Sequence, residues 1–297
     1  MNQPYTVTIL RAYYANERNQ IMKFTKILAV IMAMLMVCLS MAACAAKTDD
    51  AKDDGSSDAD KTESDLQYVL DKGTLVVGIT DFAPMDYKDE NGEWIGFDAD
   101  MAKAFAKSLG VEVEFVEIDW DNKIFELNGK SIDCTWNGMT LTDEVLAAME
   151  CSKAYCNNQQ IVIVPADKAD QYQTVESVAK LNFAAEAGSA GEDQLEALGY
   201  SCTPVKDQTS ALTEVKAGTC DAAVIDSLMA GAMVGEGTGY ADLAYTVGLN
   251  DEEYGVGFRK GSELAAKLND FFKSSYADGS MIELAEKYGV DASLIEQ

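Results

Sequence analysis

From Leu66 onward the chain alternates two kinds of hydrophobic spacing, and the alternation predicts an architecture. TLVVGIT (74–80) is a short β-branched run, read as a strand. In FDADMAKAFAKSLG the apolar residues Phe97, Met101, Phe105 and Leu109 recur every fourth position and Gly110 follows, which predicts an amphipathic helix and its stop. VEVEFVEI (111–118) alternates as a strand does, and DNKIFELNG reads as a short helix ending at Gly129. The order then repeats. QQIVIVP (159–165) and LNFAAEAG (181–188) are strands, GEDQLEALG a helix, YSCTPV a strand, SALTEVKAG a helix, CDAAVID a strand and SLMAGAMVG a helix. EYGVGFRKG (253–261) is strand-like, SELAAKLNDFFKSSYADG helical, and a last helix opens with Ser280 and Glu283 at capping-box spacing. Strands alternating with helices imply a parallel or mixed sheet covered by helices.

Two such units in series, with no evident internal repeat, predict two α/β lobes joined by two extended crossings and a cleft between them. Lobe 1 is expected over 66–162 and 250–297, and lobe 2 over 163–249. Ligands of open α/β sheets bind where carboxyl ends of strands meet helix N-termini. Here those places are Thr80-Asp81-Phe82, Asn137-Gly138-Met139-Thr140, Gly188-Ser189 and Ile225-Asp226, all carrying short polar groups. Each has a plainer role to set beside this one. Asp226 and Ser189 suit helix caps, as do Thr140 and Thr142 before a helix starting near Asp143, and Phe82 and Trp120 suit a core.

The beginning of the chain follows other rules. ILAVIMAMLMVCLSMAA (27–43) is an apolar run preceded by Lys23 and Lys26 and ending in small residues, as an export signal does. Met22-Lys23-Phe24 is the natural-looking start, which makes 1–43 the signal region with an upstream extension. From Ala45 to Asp65 the residues are mostly Ala, Ser, Asp and Lys with almost nothing apolar, the composition of a flexible acidic linker.

Charge and composition narrow the function. The 23 basic and 50 acidic residues give −27, and loss of residues 1–43 would bring this to −30, so a nucleic-acid backbone would be repelled. There is no histidine, which removes Ser-His-Asp and Cys-His chemistry and the commonest metal ligand. No cofactor is implied, and an enzyme would have to work with Asp, Glu, Lys or Tyr. Of seven cysteines, Cys134, Cys151, Cys156, Cys202 and Cys220 sit among apolar neighbours, where a thiol serves as a small core residue; a Cys202–Cys220 bridge has no support from spacing.

The stretch from Leu75 to Val145, with TD…P…Y…NG…GFD and then NGMT.T, followed by AGS and CDAAVID, resembles the polar amino-acid solute-binding proteins of ABC importers. The resemblance extends from about Leu66 to the last helix and implies the two-lobed type II periplasmic-binding-protein-like fold. Met41-Ala42-Ala43-Cys44 resembles a bacterial lipoprotein cleavage box, implying lipid on Cys44; a retained membrane anchor is the alternative. The family likeness implies an extracytoplasmic, membrane-tethered monomer that captures a small polar solute, an amino acid or related molecule, and hands it to a permease and ATPase. Position by position, it assigns Asp226 to the ligand ammonium, with the Gly138 carbonyl sharing it. Thr140 and Ser189 go to the carboxylate, Phe82 and Trp120 to an aromatic sandwich, and Asp81 and Asn137 to the side-chain end.

Two positions depart from the family pattern: Val145 stands where an arginine usually forks onto the carboxylate, and Ala190 where a second hydroxyl is usual. Replacements for the lost cation are the helix N-terminus after Thr142, or Lys153 or Arg259 from near the crossings. The other reading is a ligand without a carboxylate, such as an amine or an uncharged polar solute. Two further readings remain: a dehydratase-like enzyme using Asp226, Glu186 or Lys153, and a ligand sensor read by a receptor.

Overall fold

The computed structural model describes residues 64–297. The signal region, the Met22 start, Cys44 and the linker up to residue 63 lie outside the described residues. The linker expected to run to Asp65 gives way one residue earlier, because Ser64 caps helix α1 (Asp65–Lys72) by accepting from the Gln67 N–H.

One curled sheet organises the protein. Its strands are β1 (Thr74–Ile79), β4 (Glu112–Glu117), β5 (Cys134–Thr140), β6 (Met149–Cys151), β7 (Cys156–Pro165), β8 (Asn182–Glu186), β9 (Ser201–Val205), β10 (Ala222–Asp226) and β11 (Leu243–Arg259). A separate two-residue hairpin is formed by β2 (Tyr87–Lys88) and β3 (Trp94–Ile95). The strand order is β4-β1-β5-β11-β7-β10-β8-β9, with β6 also on β11. Parallel pairs β1–β4 and β1–β5 build lobe 1, and parallel pairs β8–β10 and β8–β9 build lobe 2. Antiparallel β7 and β11 run through both, so the lobes are joined by two adjacent extended crossings, as expected. Residues 157–160 pair there with 250–253, and the ladder shifts register beside Gly248.

Helices α2 (Phe97–Leu109), α3 (Lys123–Asn128), α4 (Asp143–Ala148), α5 (Val175–Val178), α6 (Ala190–Leu198), α7 (Gln208–Ala217), α8 (Ser227–Met233), α9 (Leu264–Ala277) and α10 (Ser280–Tyr288) cover the sheet. The four-residue spacing of α2 works as read: Phe97, Met101 and Phe105 are buried against a core that includes Trp136, Phe258 and Phe272. Each such ring removed from water contributes about 1.5–3 kcal/mol. A second core in lobe 2 packs Val162, Val164, Phe183, Leu195 and Val224.

Two expectations are corrected. The Ser280/Glu283 capping box does not form: Gly279 takes the cap position, and Ser280 bonds to Asp278 and Ser275 instead. EYGVGFRKG is only the end of a 17-residue strand that begins at Leu243. Cys202 and Cys220 are not bridged; all five cysteines among the described residues are free thiols.

Candidate functional site

The cleft lies where β1, β5 and the Trp120–Asn122 turn of lobe 1 face β8, α6 and β10 of lobe 2. Its empty space, open solvent at the mouth included, is about 510 Å³. Of the nine ligand-site residues expected, Phe82, Trp120, Asn137, Gly138, Thr140, Val145, Ser189 and Asp226 line it together. Asp81 is exposed and is not among the lining residues.

At the floor, Asp226 ends β10 and precedes α8, but its side chain makes no capping bond. Its Oδ1 instead accepts from Asn158 Nδ2, from Gln160 Nε2 at 3.0 Å and from the Tyr254 hydroxyl at 2.8 Å. Oδ2 accepts from Gln208 Nε2. Burial first, then the neighbouring Glu252, pushes Asp226 up to about 7. Glu252 shares the same donors: its Oε1 accepts from Asn158 at 2.6 Å, Gln160 at 2.8 Å and the Thr140 hydroxyl at 2.9 Å. The crossings thus supply an acidic, amide-lined base. Glu186, at the end of β8, is 4% exposed, and its Oε1 has no hydrogen-bond partner. Burial, reinforced by Asp226 and Asp207, lifts it to about 8.

The opposite wall differs. Val145 is buried, and its N–H is taken by the Thr142 hydroxyl, the cap of α4. Ser189 likewise caps α6 by accepting from the Glu192 N–H. Asn137 faces inward yet is engaged in tying strand ends: its Oδ1 accepts from the Thr80 N–H and hydroxyl, and its Nδ2 donates to Asp86 at 2.8 Å. Gly138 donates its N–H to Asp98 at 2.7 Å, and its φ of 54° suits glycine alone, because an added Cβ would lie 2.3 Å from the Phe82 ring. Phe82 and Trp120 belong to hydrophobic cores and also line the cleft.

Neither side-chain cation expected to replace the missing arginine reaches the cleft. Arg259 is committed to Asp65 at 2.6 Å, Asp133 at 2.9 Å and the Ile132 carbonyl at 2.6 Å, and Lys153 is exposed outside the lining. The cation that does enter is Lys123, at the start of α3. Its Nζ crosses the cleft to the Gly188 carbonyl at 2.7 Å and lies 5.1 Å from the centre of the Trp120 ring. Burial holds its ammonium below the usual lysine range. Nothing in DNKIFELNG distinguished this lysine from an ordinary exposed one; Gln160, Gln208, Glu186 and Glu252 also entered only when the chain was folded.

A family model describing bacterial extracellular solute-binding proteins, family 3, matches residues 75–291. The chain belongs to that family. Among curated relatives, the L-cystine-binding protein TcyJ of Escherichia coli (strain K12) is 27% identical over 234 residues, covering 77% of this chain and 87% of that protein. Among solved structures, an ABC uptake transporter substrate-binding protein from Streptococcus pneumoniae with bound histidine aligns with a TM-score of 0.71. It is 29% identical and covers 78% of this chain and 98% of its own. The ancestral amino acid-binding protein AncCDT-1, described as a precursor of cyclohexadienyl dehydratase, aligns with a TM-score of 0.70. It is 33% identical and covers 76% of this chain and 99% of its own. The family fold and the site geometry therefore agree on a two-lobed extracellular solute-binding protein, and the relatives are amino-acid-binding proteins.

Proposed function

We propose that this protein is the substrate-binding component of an ABC importer, held on the outer face of the membrane by lipid on Cys44. It captures an amino acid or a close chemical relative by closing its lobes about the paired crossings at 157–160 and 250–253, and presents the closed form to a permease and its ATPase. The observation that carries this reading is the buried Asp226 carboxylate, held at the floor of the interlobe cleft by Asn158, Gln160, Gln208 and Tyr254 rather than spent on a helix cap. Among the described residues no helix is long and apolar enough to cross a membrane.

The test is a thermal-shift screen of the protein against the amino acids and their amine derivatives. A ligand at about a hundred times its dissociation constant adds about 2.7 kcal/mol to folding stability. A shift lost in Asp226→Ala is the expected result; no shift with any small solute would end the proposal. Lipidation is tested separately, by metabolic labelling with a fatty acid, where Cys44→Ser is expected to abolish both label and membrane retention.

A second reading, catalysis in the same cleft, is favoured by one observation: Glu186 is buried with Oε1 unpartnered, and burial lifts its carboxyl to about 8, the environment a general acid or base needs. Lys153 cannot serve it from outside the lining, which leaves Lys123 as the amine within reach. Ligand recovered chemically unchanged after prolonged incubation discriminates against this reading.

A further inference from the structure

Among the cleft-lining residues, carboxylates outnumber cations four to one: Asp226 and Glu186 are buried, Glu144 and Asp193 sit at the exposed rim, and Lys123 stands alone. Lys123 is already held by the Gly188 carbonyl. Two buried acceptors in the cleft have no partner, Glu186 Oε1 and Gln160 Oε1, on residues 4% and 2% exposed. The orientation of the Gln160 amide is not free to change, because its Nε2 donates to both Asp226 and Glu252. An unpaired buried acceptor costs about 1–3 kcal/mol, and more when charged. The occupant must therefore bring donors to the lobe 2 side.

On the wall that the family resemblance assigns to an anion, several donors are already engaged. The Thr140 hydroxyl donates to Glu252, the Val145 N–H to Thr142, the Gly138 N–H to Asp98, the Gly188 N–H to Glu192 and the Glu192 N–H to Ser189. Helix α4 is only six residues long and carries Asp143 and Glu144 in its first turn, so its N-terminus repels a carboxylate as much as it attracts one. Val145 itself offers only hydrocarbon.

Resting on the cleft being the capture site, we propose that it selects a small organic cation without a carboxylate. Such a ligand carries an amine or guanidinium at one end and a second donor-rich group at the other, the chemistry of a decarboxylated basic amino acid. One cationic end meets Asp226, Glu186 and Gln160 together on the lobe 2 side, the methylene chain packs on Val145 of the opposite wall, and the other end reaches the rim carboxylates Glu144 and Asp193.

Matched ligand pairs isolate the carboxylate. Calorimetric titration of the protein with agmatine and L-arginine, putrescine and L-ornithine, and cadaverine and L-lysine compares molecules that differ by that group alone. The amine is expected to bind at least about tenfold tighter in one or more pairs, a difference of about 1.4 kcal/mol. Glu186→Gln, which keeps the shape, is expected to reduce that preference by a similar factor. If the amino acid matches or exceeds its amine in every pair, the inference is overturned while the capture function stands. If none of the six compounds and no other amino acid binds, both fall.

Discussion

The two ends of the cleft are built on opposite plans. At the floor, Asp226 and Glu252 share the Asn158 and Gln160 amides of β7, and Tyr254 of β11 and Gln208 of α7 bond to Asp226 as well, so the acidic pair is held by the crossings that join the lobes. At the far wall, Val145 stands where the family resemblance implies an arginine, and the Thr140 hydroxyl, Gly138 N–H and Val145 N–H are turned to Glu252, Asp98 and Thr142. The difference separates two tasks. The floor is part of the hinge and resists change; the wall hangs on the short helix α4 and can change its chemistry without disturbing closure.

The sharpest way to break this comparison is to remove the floor. Asp226→Ala is expected to weaken ligand by about 30-fold to several thousandfold, since truncating one member of a buried charge pair costs about 2–5 kcal/mol; calorimetry reads it. Next in size is converting the wall. Val145→Arg is expected to raise affinity for basic amino acids about tenfold to a hundredfold, as charge-assisted hydrogen bonds contribute about 1.5–3 kcal/mol each, and to weaken the amines. An unchanged ranking in the paired titrations would show that the wall does not choose the ligand.

Closure itself supplies a smaller effect. Gly188 has φ of 69°, and an added Cβ would lie 2.7 Å from the Asp121 backbone across the cleft. Gly188→Ala should therefore hold the lobes apart and cost about 1–3 kcal/mol of ligand affinity, visible as a larger radius in solution scattering with ligand present.

Titration gives a gradual signature of the acidic floor. Because Glu186 and Asp226 are raised to about 8 and about 7, the empty folded protein binds protons that the unfolded chain releases at lower pH. Its stability is thus expected to fall as pH rises from about 4.5 through about 8. A bound cation favours the charged forms, so binding releases protons below that limit and affinity rises with pH; titrations in buffers of different ionisation enthalpy count them. Asp207 and Lys123 flank Glu186, and Glu252 flanks Asp226, so the transitions will be broad. The smallest effect belongs to the exposed Lys206–Glu117 pair, 2.8 Å apart: Lys206→Ala should change affinity by less than about 1 kcal/mol.

Much of this arrangement was legible before folding, for identifiable reasons. Helix α2 and strands β4 and β10 carry strong periods bounded by glycine or charge, and Asp226, Ser189 and Val145 fall at strand–helix junctions where cleft residues gather. The first part of β11 was not, because LAYTVGLN has an irregular ladder and keeps no clean alternation. Gln160, Gln208 and Glu252 were invisible for a different reason. They act on Asp226 from 66, 18 and 26 positions away, brought together by strand pairing and by a helix packed behind it rather than by local pattern. Asn137 taught the converse: it was placed correctly by sequence, yet its amide serves Thr80 and Asp86.

The clasp of Asp65 by Arg259, beside Asp133 at the root of β5, has a mechanical meaning. Any load arriving through the residues ahead of Ser64 would be delivered to lobe 1 at the C-terminal end of β11, past the last residue that pairs with β7. Traction on the leading segment would therefore leave the swing of lobe 2 unhindered, and a moored molecule can open and shut as freely as one adrift.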